Sequence, residues 1–214
     1  MLLARFTVGP FAENCYVVGS PPEVAVVDPG AEGERIVAAI EGQGWRPVAI
    51  LLTHGHLDHI AHCAQLCERF GVGVWAPRED LFLLESPQMP ELGAMLGARP
   101  CPAPERFWED GETAAVAGLE LTVIHTPGHT PGGVCLLHEP SRSILVGDTL
   151  FHRGIGRTDL PGGDYATLER SIRRRLFTLD GDYTLYPGHG PETSLEDERR
   201  SNPFFGESAD PGWR

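Results

Sequence analysis

Short apolar runs broken by turn residues dominate the first quarter of the chain. Residues 2–8, 14–19 and 24–27 read as strands. Gly9-Pro10-Phe11-Ala12-Glu13 links the first two, and Asp28-Pro29-Gly30 stops the third, so a tight antiparallel meander is expected. Over 31–42 the period changes. Ile36, Val37 and Ile40 recur at helical spacing among Glu32, Glu34, Arg35 and Glu41. Residues 48–52, Val-Ala-Ile-Leu-Leu, are apolar throughout, which marks a strand buried on both faces. Ile60, Ala64, Leu66, Cys67 and Phe70 then predict a helix over 60–70, and 72–75 reads as the next strand. Strand, helix, strand is a right-handed crossover unit.

The pattern weakens over 77–107. Pro77, Pro87, Pro90, Pro100 and Pro102 interrupt it, predicting a short helix near 78–85 and an irregular segment after it, placed at the mouth of a site. Alternation returns at 113–116, 119–125, 134–138 and 143–146, with turns at Gly118 and Pro140-Ser141-Arg142. Residues 164–178 read as a helix with Asp164 as N-cap and its arginines late. A last strand at 184–186 precedes a helix opened by Ser194. The chain thus reads as two similar halves, each with antiparallel strands, a strand ending in a His-bearing loop, and a helix. Two sheets packed face to face with helices outside account for this. Residues 1–203 are assigned to one domain and 204–214 to a Pro/Gly-rich tail expected to fray.

With 214 residues the chain has ample core for one domain. Its formal net charge of -13 argues against a phosphate backbone as partner; the basic run at 170–175 reads as a solvated helix face. No run of 18 apolar residues exists, and Met1-Leu2-Leu3-Ala4-Arg5-Phe6 lacks the apolar core of an export signal. A cytoplasmic monomer with no membrane or nucleic-acid partner is expected. The cysteines (Cys15, Cys63, Cys67, Cys101 and Cys135) are odd in number with no CxxC, so reduced thiols are expected. Cys63 and Cys67, at i and i+4, read as packing groups on one helix face.

Candidate chemistry gathers after the strands. Thr53-His54-Gly55-His56-Leu57-Asp58-His59 follows the apolar run 48–52. Imidazoles and a carboxylate packed this densely suit a zinc or iron ion. Three further stretches put a ligand straight after a strand: His125-Thr126-Pro127-Gly128-His129-Thr130, Val146-Gly147-Asp148-Thr149 and Pro187-Gly188-His189-Gly190. Together they divide into His54, His56 and His129 for one ion, Asp58, His59 and His189 for another about 3.5–4 Å away, and Asp148 between them. Asp28, at the end of the third strand, is a candidate to orient a ligand imidazole. His62, His125, His138 and His152 fall outside the set.

His54-Gly55-His56-Leu57-Asp58-His59, followed by His129, Asp148 and His189, resembles the metallo-β-lactamase superfamily. The resemblance runs from Asp28-Pro29-Gly30 to His189. It implies an α/β fold, an αββα sandwich of two mixed sheets with outer helices and the metals at one sheet edge. Within the superfamily the chain looks most like short bacterial glyoxalase II-like hydrolases without a C-terminal helical domain. Gly154-Ile155-Gly156-Arg157-Thr158-Asp159, Tyr186-Pro187-Gly188-His189-Gly190-Pro191 and Asn202-Pro203 carry that likeness. Two divalent ions are implied, zinc first, with iron or manganese as alternatives. The expected reaction is thioester hydrolysis by a metal-bridging hydroxide, with a hydroxyacyl-glutathione as model substrate. Asp58 is expected to position the hydroxide as well as ligate, and Arg157 to grip a substrate carboxylate. The rivals are an iron-dependent persulfide dioxygenase of the same superfamily and a non-catalytic metal-binding domain.

Overall fold

The computed structural model describes residues 1–85, 90–207 and 209. The first sheet contains β1 (Leu2–Val8), β2 (Glu13–Ser20), β3 (Glu23–Val27), β4 (Arg46–Leu51), β5 (Val74–Ala76) and β6 (Arg106–Phe107), in that spatial order. β1, β2 and β3 pair antiparallel, and β3 through β6 run parallel. The second sheet contains β7 (Thr113–Val116), β8 (Leu119–His125), β9 (Val134–His138), β10 (Ser143–Gly147), β13 (Thr184–Pro187) and β14 (Thr193–Ser194). It is antiparallel except for the parallel β10–β13 pair. A separate hairpin pairs β11 (Leu150–Phe151) antiparallel with β12 (Gly154–Ile155).

Side chains alternate between the faces of a strand, and here both faces find a core. Val24, Val26, Ile50 and Leu52 point outward to α1 (Gly33–Gly42) and α3 (Cys63–Phe70), meeting Ile36, Ile40, Cys63 and Leu66. Ala25, Val27, Ala49 and Leu51 point inward and meet Leu121, Val123, Val134 and Leu136 of the second sheet. Ile124, Cys135, Leu137 and Val146 form the far face under α6 (Tyr165–Ser171) and α7 (Leu195–Ser201). The result is the expected αββα sandwich.

Both expected caps are present: Asp164 accepts from the Thr167 N–H and Ser194 from the Asp197 N–H. Several boundaries differ from the sequence reading. The helix expected over 60–70 is two pieces, α2 (Leu57–Ile60) and α3, separated by Ala61-His62. Asp58 and His59 therefore lie on a helical turn. Residues 77–107 hold more structure than their prolines suggest. A 3-10 turn at Arg78–Asp80 runs into α4 (Leu81–Glu85), and Pro90 opens α5 (Pro90–Leu96), where proline is tolerated because the first N–H lacks a helical partner. Pro87 lies outside the described residues. The helix expected over 164–178 gives way after α6 to a π-helical turn at Ile172–Leu176. The tail does not fray at 204: Phe205 is buried against α6, and the Gly206 N–H donates to the Asn202 carbonyl. Residues 208 and 210–214 of that tail lie outside the described residues. No helix among the described residues is long and apolar enough to cross a membrane.

Candidate metal centre

Five strands deliver their following residues to one edge of the sandwich. β3 ends in Asp28, β4 in Thr53–His59, β8 leads to His129, β10 to Asp148 and β13 to His189. The two sheets therefore share the site. Two glycines make the approach possible. Gly147 has φ 47°, a left-handed conformation that glycine adopts without a Cβ clash, and a Cβ there would strike the Thr53 side chain. At Gly188 a Cβ would fall inside the Asp148 carboxylate and against His59 Cε1.

The expected ligands divide as the spacing suggested. His54, His56 and His129 bring one nitrogen each within 4.8 Å of one another, as do donor atoms of Asp58, His59 and His189. In the first set His56 Nδ1 lies 2.8 Å from His129 Nε2. In the second, His59 Nε2 lies 3.4 Å from His189 Nε2, which lies 3.3 Å from Asp58 Oδ2. Asp148 reaches both sets: Oδ1 is 3.5 Å from His59 Nε2, and Oδ2 is 3.5 Å from both His129 Nε2 and His189 Nε2. Two donors on a tetrahedral zinc ion, each about 2.0–2.1 Å from it, stand about 3.3–3.4 Å apart. The spacing of the second set and of Asp148 fits that figure. In addition, His54 Nε2 and Asp148 Oδ1 are buried without a hydrogen-bond partner. These residues fit a pair of divalent ions.

The outer nitrogens are held from behind. His59 Nδ1 is 3.1 Å from Asp28 Oδ2, the orienting contact expected of Asp28. Asp28 also accepts from the Thr53 N–H and hydroxyl at 2.8 and 2.6 Å, and it adopts φ 50°, strained for a non-glycine residue. His129 Nδ1 donates to the Arg157 carbonyl at 2.7 Å, and His189 Nδ1 to the Phe11 carbonyl at 3.0 Å. These acceptors leave the Nε2 lone pairs of His129 and His189 free to ligate.

Electrostatics differ across the site. Burial, reinforced by neighbouring imidazoles, holds His54 well below its ordinary pKa and pulls His56 down to about 4. These imidazoles are neutral at pH 7, as ligation requires. Burial acts the same way on His59 and His189, but carboxylates outweigh it. Asp148 and Asp28 raise His59, and Asp58 with Asp148 raises His189. Asp58 is lowered despite its burial, because His189 and His59 face it. An ion entering the second set competes with protons for the same nitrogens.

Other predicted residues fall as follows. Arg157 lines a cavity of about 340 Å³ together with Asp58, His129, Asp148 and His189. Its guanidinium, however, is taken by Asp159 in a two-point pair, both bonds 2.8 Å. His125 Nε2 donates to the Pro131 carbonyl, and His62 meets Gln65 and the Leu96 carbonyl, so both serve packing. Sequence reasoning missed two buried acids. Asp80 accepts from the Gly55 N–H, the Thr130 hydroxyl and the Gly132 N–H at 2.9, 2.7 and 2.6 Å, lacing the first ligand loop to the His129 loop. Glu13 lies behind His59. Neither carries a local signal: Asp80 sits in Arg78-Glu79-Asp80, which reads as solvated, and Glu13 closes a turn-rich linker.

An αββα sandwich with paired His/Asp sets at one sheet edge defines a class of metal-dependent enzymes. Residues 8–189 match the family model of the metallo-beta-lactamase superfamily, and the chain belongs to that superfamily as one of its metallo-hydrolases. Among curated relatives, the hydroxyacylglutathione hydrolase GloC of Haemophilus influenzae is 40% identical over 200 residues, covering 91% of this chain and 93% of its own. Among solved structures, the BLEG-1 B3 metallo-β-lactamase matches with TM-score 0.87 and 31% identity, covering 95% of this chain and 99% of its own. The di-iron-bound form of TTHA1623 matches with TM-score 0.85 and 37% identity, covering 94% and 99%.

Proposed function

We propose that this metallo-hydrolase cleaves thioesters of the hydroxyacyl-glutathione type, with S-lactoylglutathione as the model substrate. The observation that carries the reading is Asp148, within 3.5 Å of imidazoles from both donor sets, at the floor of an open cavity. The likeness to GloC supports the substrate class. His54, His56 and His129 would hold one ion, Asp58, His59 and His189 the other, and Asp148 both. Zinc is the first choice, with iron or manganese open to the same donors. Bound divalent ions would supply a water of near-neutral pKa and Lewis-acid polarisation of the thioester carbonyl.

The remaining tasks fall to the chain. Asp58, a quarter exposed at the cavity wall, accepts a hydrogen bond from the attacking water and fixes its direction. Phe11, Leu57, Leu92, Phe151, Ile155 and Leu160 give the cavity an apolar rim that excludes bulk water around the reacting carbonyl. A thiolate leaves without needing a proton, so no dedicated acid is required.

The deciding experiment is a panel of acyl-thioesters assayed with metal quantified on the same sample. Hydrolysis of glutathione thioesters with two ions per chain is expected. One iron per chain, with oxygen consumed on glutathione persulfide, would instead make the protein the dioxygenase. The same panel tests Arg157. A substrate carboxylate must compete with Asp159 for this exposed guanidinium, so its net gain is small. Arg157→Ala is therefore expected to raise KM for glutathione thioesters about two- to fivefold with kcat unchanged. An unchanged KM removes the role.

A further inference from the structure

Glu13 opens β2 with its side chain turned inward; it is 1% exposed, and neither carboxylate oxygen has a hydrogen-bond partner. Buried carboxylates are normally paired or hydrogen-bonded, so this one calls for an explanation. Its surroundings supply it. Oε1 is 3.8 Å from His59 Nδ1, the nitrogen whose hydrogen bond goes to Asp28. The backbone of Glu13 forms a bridge with His189. The next residue, Asn14, donates its N–H to the Gly188 carbonyl and its side-chain amide to the carbonyls of Pro187 and Gly190. Glu13 thus meets the His59 imidazole by its side chain and the His189 backbone by its own.

Charge points the same way. The first set is three imidazoles, whereas the second contains Asp58 and has Glu13 behind its His59; Asp28 lies between them, within reach of both His54 and His59. Glu13 faces His59 of the second set, so its removal is felt on that side first.

We infer that Glu13 is a positioning residue for the second metal ion: its carboxylate backs the His59 imidazole and supplies the charge that retains the ion. The inference rests on the two-ion reading above.

The test is zinc titration of chelator-stripped protein against a competing chromophoric chelator. The wild type is expected to take two equivalents. Glu13→Gln should weaken the second equivalent about 10- to 100-fold, the usual effect of losing a partner behind a ligand, and leave the first within about twofold. Glu13→Asp keeps the charge one methylene further away. It should restore most of the second-equivalent affinity, and it serves as the readout if the glutamine variant does not fold. Unchanged second-equivalent affinity in Glu13→Gln, or an equal loss at both equivalents, overturns the inference. A wild-type protein that takes one equivalent overturns the two-ion reading itself, and this inference with it.

Discussion

Replacing His54 and His59 together by alanine is expected to leave the protein folded, nearly metal-free and at least about a thousandfold less active as a thioesterase. The double change removes one imidazole from each donor set, so neither set keeps three donors of its own. Catalytic zinc is normally held by three protein ligands, and the energy of binding falls with each one lost. Losing a single preorganised oxyanion stabiliser costs about 10²–10³ in kcat, and here the nucleophile's activation is lost as well. Metal analysis and the thioester assay on one sample, with circular dichroism as the folding control, check it. Full metal content and activity in the double variant would place the site elsewhere.

Asp80→Ala is expected to be the costliest single change to stability. The carboxylate is fully buried and accepts from Gly55, Thr130 and Gly132. Burial raises its pKa, opposed by those three hydrogen bonds. A methyl group in its place strands two N–H groups and a hydroxyl in the interior, at about 1–3 kcal/mol each. Relief of the buried charge offsets part of that, leaving a net loss of about 3–5 kcal/mol. For a chain of this size the melting temperature should fall on the order of 10 °C. Asp80→Asn keeps one acceptor oxygen and should lie between. A melting temperature for Asp80→Ala within about 1 °C of wild type would show that the two loops hold their positions without it.

The donor sets were legible because each ligand lies next to the end of an apolar strand, and strand ends converge once the sheets pack. The sandwich was legible for a similar reason: runs such as Val24-Ala25-Val26-Val27 bury both faces, so they require a layer on each side. What sequence could not show depends on distant partners. Asp80 becomes interior only because Thr130, 50 residues on, lies over it. Glu13 becomes interior because the 187–190 loop covers the linker. α5 escaped because none of its residues is buried, so it leaves no apolar stripe to read. Arg157 and Asp159 stand two residues apart in the same run, but only the folded loop shows the two-point pair that engages the guanidinium.

The Asn14 amide bonds to the Pro187 and Gly190 carbonyls, 173 and 176 residues away. Chains leave the ribosome N-terminus first, so four of the ligands, His54 to His59, emerge long before the loop carrying His189. The second donor set is thus the last to be completed in synthesis, and its closure falls to contacts between residues 13–14 and the 187–190 loop.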